Sequence, residues 1–228
     1  MRDILELCVK MDDHAERLYA ALAGVCPDEA LARTFLKLGR DEAEHADWWG
    51  GLLRAWDQGL LPDVVNDTGV LVERLNVLHE ELTAIDLESL AGLSVDDMLA
   101  LAARVEFYMI DPVFSELIEL TEPGRADHRR EAYQAHIQHL VDAISLHYPA
   151  DSLAGLLAQA LSRTWVDNLR LASFATHDYL TGLHNRRALY THPPQGAARS
   201  ARYGHPLTGL LIDVDRFKDG NDRFGHGG

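Results

Sequence analysis

Apolar residues recur three and four positions apart along most of the chain, from the N-terminus to about residue 175. This period is typical of amphipathic helices. Proline, glycine and capping residues interrupt the pattern at five places, so six helices are predicted. Their ranges are 2–25, 28–57, 69–91, 95–121, 126–148 and 152–175. Pro112 lies inside the fourth range and is expected to kink that helix.

The pattern changes after residue 175. The stretch HDYLTGLHNRRAL indicates a turn that leads into a helix, and PLTGLLIDVD indicates a buried strand that ends in carboxylates. An α/β domain is therefore expected to begin here. Four of the six preceding helices are long, and the shorter helix at 69–91 lies in the connection between the second and third long ones.

The charge is distributed unevenly between these two parts. The formal net charge is -15 for the whole chain, made up of -17 over residues 1–170 and +2 over residues 171–228. An acidic surface repels phosphates and anionic lipids, so nucleic acid and membranes are not expected as partners of the first part, whereas metal cations suit it.

Features of the N-terminal region predict a cytoplasmic protein. No apolar run approaches the roughly 20 residues of a membrane span, and acidic residues interrupt the start of the chain where a signal peptide would be apolar. Cys8 and Cys26 would lie about 27 Å apart on one helix, so both are expected to be reduced thiols.

Ionisable residues occupy positions on the apolar faces of four predicted helices. Asp12 completes the apolar stripe of the first helix, and Glu42 and His45 interrupt that of the second. Residues three apart share a helix face, so Glu42 and His45 can contact one ion. Glu106 lies on the apolar face of the fourth helix, and His136 and His139 lie on that of the fifth.

The spacing of these residues is repeated. Asp12 and Glu42 are 30 residues apart, as are Glu106 and His136, and a histidine follows three residues after each second member. Burying three carboxylates and three imidazoles costs several kcal/mol per unpaired charge, and neither lysine nor arginine occupies these inward positions. Cations can neutralise the cluster. Carboxylate oxygen and imidazole nitrogen are ligands for iron or manganese.

This part of the chain resembles the ferritin-like, rubrerythrin-type di-iron family over residues 1–147. The resemblance implies a four-helix bundle with a crossover helix and two iron or manganese ions bound by the six residues. The family has Glu where Asp12 stands, and Glu-x-x-His where His136 and His139 stand. A single inward histidine is more often a hydrogen-bonded core residue. His14, His79, His128 and His147 are expected to be surface or packing residues.

Two C-terminal motifs resemble the opening of a GGDEF domain, the diguanylate cyclase family. They are D-x-L-T-G-L-x-N-R-R at 178–187 and D-V-D-R-F-K-D-G-N-D-R-F-G-H at 213–226. The resemblance implies Mg²⁺-assisted phosphoryl transfer between two GTP molecules, one on each of two subunits. The implied metal ligands are Asp213 and the Val214 carbonyl, and the implied nucleotide contacts are Phe217, Lys218 and Asn221. The GGDEF signature loop is not in this sequence, so these 228 residues alone are expected not to make cyclic di-GMP.

The predicted fold is mainly α. It consists of a ferritin-like four-helix bundle with a crossover helix (1–148), a linker helix (149–177) and a truncated α/β GGDEF domain (178–228). The apolar face of the linker helix fits either pairing of two subunits or packing on its own bundle.

Three functional hypotheses follow. The leading one is a di-iron sensor whose metal state, altered by oxygen, peroxide or iron supply, controls dimerisation of a diguanylate cyclase domain. The second is a di-iron peroxidase or ferroxidase. The third is a metal-free dimerisation bundle.

Overall fold

The computed structural model describes residues 1–61, 68–121 and 126–176, and beyond them residues 178, 180, 181, 183, 185, 200, 204–206, 208, 210 and 212. The secondary structure of this part is helical, which confirms the mainly α prediction. The α-helices are α1 (Arg2–Val25), α2 (Glu29–Asp57), α3 (Thr68–Thr83), α4 (Val95–Met109), α5 (Pro112–Thr121), α6 (Ala126–His147) and α7 (Leu153–Thr176). A 3₁₀ helix, Leu87–Leu90, lies between α3 and α4.

Side-chain caps fix where two long helices begin. Asp28 accepts hydrogen bonds from the backbone N–H groups of Ala30 and Leu31, both 2.8 Å long, and so starts α2. At the start of α4, Ser94 and Asp97 form the predicted capping box, in which each side chain accepts from the other residue's backbone N–H. These caps satisfy backbone donors that have no partner within a helix.

The helix expected over 95–121 is two helices, because Pro112 ends one and begins the next instead of bending a continuous helix. Proline has no N–H to donate within a helix and disfavours helical backbone in the residue before it, whereas it fits the first helical position well. Asp111 completes the break, since its Oδ1 accepts a 3.0 Å bond from the Val113 N–H. The expected helix over 69–91 is also shorter, ending at Thr83.

Four helices pack side by side in a closed ring. α1 contacts α2, α2 contacts α6, α6 contacts α4, and α4 contacts α1. α3 belongs to the connection between α2 and α4 and packs on α1, with Leu75 and Leu82 fully buried. The apolar faces of the ring enclose one core, in which Trp49, Tyr19, Phe35 and Phe114 are among the largest fully buried side chains.

α7 packs on the outside of this ring, against α4, α5 and α6. Leu161 and Trp165 are fully buried there. Asn168 donates a 2.5 Å hydrogen bond from Nδ2 to the Ile110 carbonyl, at the break between α4 and α5. One face of α7 is thus covered by its own bundle, while Leu171 and Phe174 on the same helix are exposed.

A turn follows α7 and uses residues of the first C-terminal motif. Asp178 accepts hydrogen bonds from the backbone N–H and hydroxyl of Thr181, and Asn185 donates a 3.3 Å bond from Nδ2 to the Phe174 carbonyl. The Asn185 bond satisfies a carbonyl in the last turn of α7. The strand expected at 206–215 falls mostly outside the described residues, and the α/β domain stays a prediction.

Across the described part of the chain, helices long and apolar enough to cross a membrane are absent.

Truncation of Leu161 tests the packing of α7. Leu161→Ala should destabilise the protein by about 2–5 kcal/mol, because it leaves a cavity between α7 and the ring. Leu36→Ala is the matched control: Leu36 is 49% exposed on α2, so its truncation should cost less than about 1 kcal/mol. Urea unfolding would measure both. Equal effects of the two substitutions would contradict this packing.

Candidate metal centre

The ring of four helices encloses five ionisable side chains. Each helix contributes: Asp12 from α1, Glu42 and His45 from α2, Glu106 from α4 and His136 from α6. All five are at most 3% exposed. They occupy core positions of amphipathic helices, so the packing that buries the apolar faces also brings them together.

His136 lies at the centre of the cluster. Its Nε2 is 3.0 Å from Glu106 Oε1 and 3.2 Å from Glu42 Oε1. On the other side of the cluster, His45 Nδ1 lies 3.1 Å from Glu42 Oε2. Glu42 therefore contacts His136 through one carboxylate oxygen and His45 through the other.

Two sets of three ligand atoms result, and they share Glu42. Asp12, Glu42 and His45 form one set, and Glu42, Glu106 and His136 form the other. Within each set the ligand atoms lie within 4.8 Å of one another. This arrangement has the composition of two adjacent cation sites joined by a carboxylate, with mixed oxygen and nitrogen ligands.

Asp12 is the least compensated member of the cluster. It is fully buried, and among the described residues neither of its carboxylate oxygens has a hydrogen-bond partner. Burial, and next the nearby Glu42 charge, raise the pKa of Asp12 well above its usual value. A buried carboxyl group of this kind takes up a proton unless a cation balances its charge.

The pKa values of Glu42 and His136 are shifted in opposite directions. Burial opposes ionisation of Glu42, but the charge and hydrogen bond of His136 outweigh it and lower the pKa of Glu42 to about 2. Burial likewise opposes a charged imidazole, but Glu106 and Glu42 raise the pKa of His136 well above its usual value. Without metal, the His136 imidazolium therefore supplies the positive charge of the cluster.

His139 is not brought into either set. Its side chain is 42% exposed, and its Nδ1 lies 3.9 Å from Asp41 Oδ2. The inward position expected for His139 from its spacing to His136 is wrong, because α6 turns His139 toward the surface groove beside α2. That groove is lined in part by Lys37 and His139.

Sequence reasoning missed Asp41, which contacts the cluster from outside. Asp41 Oδ2 is 3.4 Å from His136 Nδ1, and Lys37 forms an ion pair with the other oxygen. Burial opposes the charge of Asp41, but bonds to His136 and Lys37 lower its pKa to about 2. The Lys37-to-Asp41 spacing of four residues was the available signal, since it places an ion pair next to Glu42 on α2.

Two tyrosines complete the surroundings and were also missed as functional residues. The Tyr19 hydroxyl donates to Glu106 Oε1, and the Tyr133 ring stacks on the His45 imidazole with centroids 3.8 Å apart. Burial raises the pKa of both tyrosines well above the usual value, so both remain neutral. Tyr133 lies three residues before His136, which places both on one face of α6.

The residues implied for Mg²⁺ and GTP lie outside the described part of the chain. They are Asp213, Val214, Phe217, Lys218 and Asn221. Their roles stay predictions that rest on the motif at 213–226.

Comparison with known proteins concerns this C-terminal segment. Residues 175–228 match the family described as "Diguanylate cyclase, GGDEF domain". The match confirms the resemblance predicted from the two motifs. It begins within the last turn of α7, so that helix runs directly into the matched segment.

Relatives match about a third of the chain. A protein called "Diguanylate cyclase" from Vibrio cholerae is 39% identical over 83 residues, which are 36% of this chain and 26% of the relative. The response regulator PleD from Caulobacter vibrioides is 37% identical over 83 residues, 34% of this chain and 18% of PleD. The uncharacterized protein Rv1354c from Mycobacterium tuberculosis is 44% identical over 75 residues, which are 33% of this chain and 12% of Rv1354c. The matched segments thus span about a quarter or less of these relatives.

The electrostatics of the cluster predict how the stability of the metal-free protein depends on pH. The raised pKa values of Asp12 and His136 mean that the folded state binds more protons, so stability falls as pH rises above the usual values of 3.8 and 6.5. The lowered pKa values of Asp41 and Glu42 make stability fall as pH drops toward about 2. Unfolding in chelator should therefore show maximal stability near about pH 4 and a decline from there toward pH 8.

Asp12→Asn should flatten the decline above pH 5, because the amide cannot ionise. The exposed Asp47 on α2 provides the control, since Asp47→Asn should leave the profile unchanged. A metal-free protein whose stability rises steadily from pH 5 to pH 8 would contradict the assignment of Asp12 and His136.

Proposed function

We propose that residues 1–148 form a ferritin-like di-iron sensory module, and that its metal state regulates cyclic di-GMP synthesis from GTP by a GGDEF domain. The observation that carries the metal part is the pair of ligand sets sharing Glu42 inside the four-helix ring. The two unpartnered oxygens of Asp12 support it further, since a bound cation would satisfy them.

Each residue has a distinct role in the proposed centre. Asp12 and His45 would hold one ion, Glu106 and His136 would hold the other, and Glu42 would belong to both ligand sets. This donor set of three carboxylates and two imidazoles fits iron or manganese better than soft metals. Tyr19 holds the Glu106 carboxylate in place through its hydroxyl. His139 has no ligand role in this proposal, because it faces Asp41 and solvent.

Bound iron would supply a centre that oxygen, peroxide or another small oxidant can oxidise. The surrounding residues decide how the protein responds. Three buried carboxylates would stabilise a higher positive charge on bound ions, and Glu42, as a member of both ligand sets, would be affected by a change at either site. Asp41 Oδ2 lies 3.4 Å from His136 Nδ1, so a neutral His136 with its proton on Nδ1 would present Nε2 to a metal.

The C-terminal match supports the signalling half of the proposal. A GGDEF domain would use Mg²⁺ held by Asp213 and the Val214 carbonyl, and bind GTP through Phe217, Lys218 and Asn221. Catalysis of phosphoryl transfer depends on positioning and charge neutralisation. Because two GTP molecules on two subunits must meet, the proposed active form is a homodimer, and regulation acts on how the two domains are placed.

Metal content tests the centre directly. The purified 228-residue protein, loaded anaerobically with Fe²⁺, should bind about two ions per chain. Glu42→Gln should lose most of both ions because the two ligand sets share this carboxylate, whereas Glu106→Gln should lose chiefly one. The measurement is elemental analysis after removal of free metal.

Glu44→Gln is the matched control, since Glu44 is exposed on the same helix and should bind metal as the wild type does. Less than half an ion per wild-type chain would contradict the di-metal centre and favour a metal-free bundle. Equal losses in Glu42→Gln and Glu44→Gln would contradict the assignment of Glu42.

Regulation is tested in a protein in which this bundle and α7 precede a complete GGDEF domain. Its rate of cyclic di-GMP formation should differ by roughly five-fold or more between the reduced and oxidised iron forms, the range of ordinary allosteric coupling. Glu42→Gln should abolish the difference and Glu44→Gln should keep it. Identical rates in both redox states, with metal verified in each, would show that the bundle is a scaffold only.

A further inference from the structure

A column of three stacked rings leads from the candidate metal centre to α7. The His45 imidazole and the Tyr133 ring are nearly parallel, with centroids 3.8 Å apart and an interplanar angle of 6°. The Tyr133 ring also stacks with that of Trp165, with centroids 5.5 Å apart and an interplanar angle of 24°. His45, Tyr133 and Trp165 are named the ring column below. A single side chain, Tyr133, thus separates a candidate metal ligand from α7.

The ring column is enclosed by the core. Its members are 3%, 4% and 0% exposed. The Tyr133 hydroxyl accepts a 3.2 Å hydrogen bond from Trp49 Nε1, which fixes the position of the phenol. Because protein interiors are closely packed, a buried ring stacked with two others cannot shift without displacing them.

α7 carries the far end of the column toward the matched segment. Trp165 is on α7, and one turn later Asn168 ties the helix to the Ile110 carbonyl, four residues after the candidate ligand Glu106. At the end of α7, Asn185 donates to the Phe174 carbonyl and so joins the helix to the turn that follows. The GGDEF match begins at residue 175. The helix therefore contacts both the bundle core and the start of that segment.

We propose that the ring column transmits the state of the metal centre to α7, with Tyr133 as the positioning residue between them. A change in the orientation of His45 displaces the Tyr133 ring, and Tyr133 shifts Trp165 and with it α7. This inference rests on the proposed function for the signal, and it names how that signal leaves the centre.

A signal that followed the backbone from the metal centre to this part of α7 would take a longer path than one through the ring column. From His136 it would follow α6 to His147, pass the connection at 148–152 and re-enter α7 at its N-terminal end. Trp165 lies three turns further along α7, closer to the GGDEF match. A contact there acts on the half of α7 that adjoins the C-terminal segment. Coupling between two sites requires one structural element whose position both sites influence. Between the metal centre and the C-terminal segment, that element is α7.

Hydrogen exchange of the 228-residue protein, with and without Mn²⁺ as the probe, tests the proposal. In the wild type, Mn²⁺ should slow exchange several-fold over residues 158–172 of α7 as well as near the ligands. Tyr133→Phe keeps the ring and should keep this response. Tyr133→Leu should bind Mn²⁺ with unchanged stoichiometry but lose the response in α7. Trp165→Leu interrupts the ring column from the α7 side and should also lose the α7 response to Mn²⁺. This second variant decides the proposal if Tyr133→Leu does not fold.

Phe35→Leu is the matched control, because Phe35 is also fully buried but lies outside the ring column, and this variant should respond as the wild type does. Full retention of the α7 response in metal-loaded Tyr133→Leu would overturn the proposal. So would a wild type that binds Mn²⁺ without any change in α7.

A metal-free arm separates failure of the column from failure of the proposed function. In chelator, His45→Ala should speed exchange in α7 several-fold, and this effect should vanish in the Tyr133→Leu background. The same effect of His45→Ala in both backgrounds would overturn the column. Absence of Mn²⁺ binding by the wild type would overturn the metal centre alone, and the metal-free arm would still decide the column.

Discussion

The charge balance around His136 is the constraint on which the rest of the structure depends. Its imidazole lies between Glu42 and Glu106 in a core from which solvent is excluded, and Asp41 contacts it from the other side. An unpaired buried charge costs several kcal/mol, so the four helices can close around this cluster only if positive charge is present there. A protonated His136 supplies part of that charge. Asp12 has a raised pKa, and its two oxygens have no hydrogen-bond partner among the described residues.

The same constraint explains why a metal fits the cluster. Two cations would take the place of the protons that the raised pKa values of His136 and Asp12 favour, and would give the Asp12 oxygens a partner. The apolar shell would then hold the ions in a dry site. A metal-bound form would differ from the metal-free form in charge distribution at the point where four helices meet, which would be a suitable origin for a signal. α7 covers this point from outside and leads into the segment that matches a GGDEF domain.

Periodicity predicted the helices, because burial of one helix face requires apolar residues three and four positions apart. It also predicted which ionisable residues face inward: Asp12, Glu42, His45, Glu106 and His136. It did not predict the break at Pro112, where the choice between a kink and a new helix depends on whether Asp111 caps the second segment. It also placed His139 inward, since three-residue spacing defines a broad face and only packing against α2 decides which side is covered. Asp41 and Tyr133 were missed because their roles come from contacts between helices, which one helix's pattern does not contain.

The central claim is that Glu42 joins two cation sites within the four-helix ring. Anomalous diffraction from a crystal of the Mn²⁺-loaded protein tests it most directly. The account predicts two peaks, one among Asp12, Glu42 and His45 and the other among Glu42, Glu106 and His136. A single peak beside His139 and Asp41, or an ordered cluster without any peak, would contradict it.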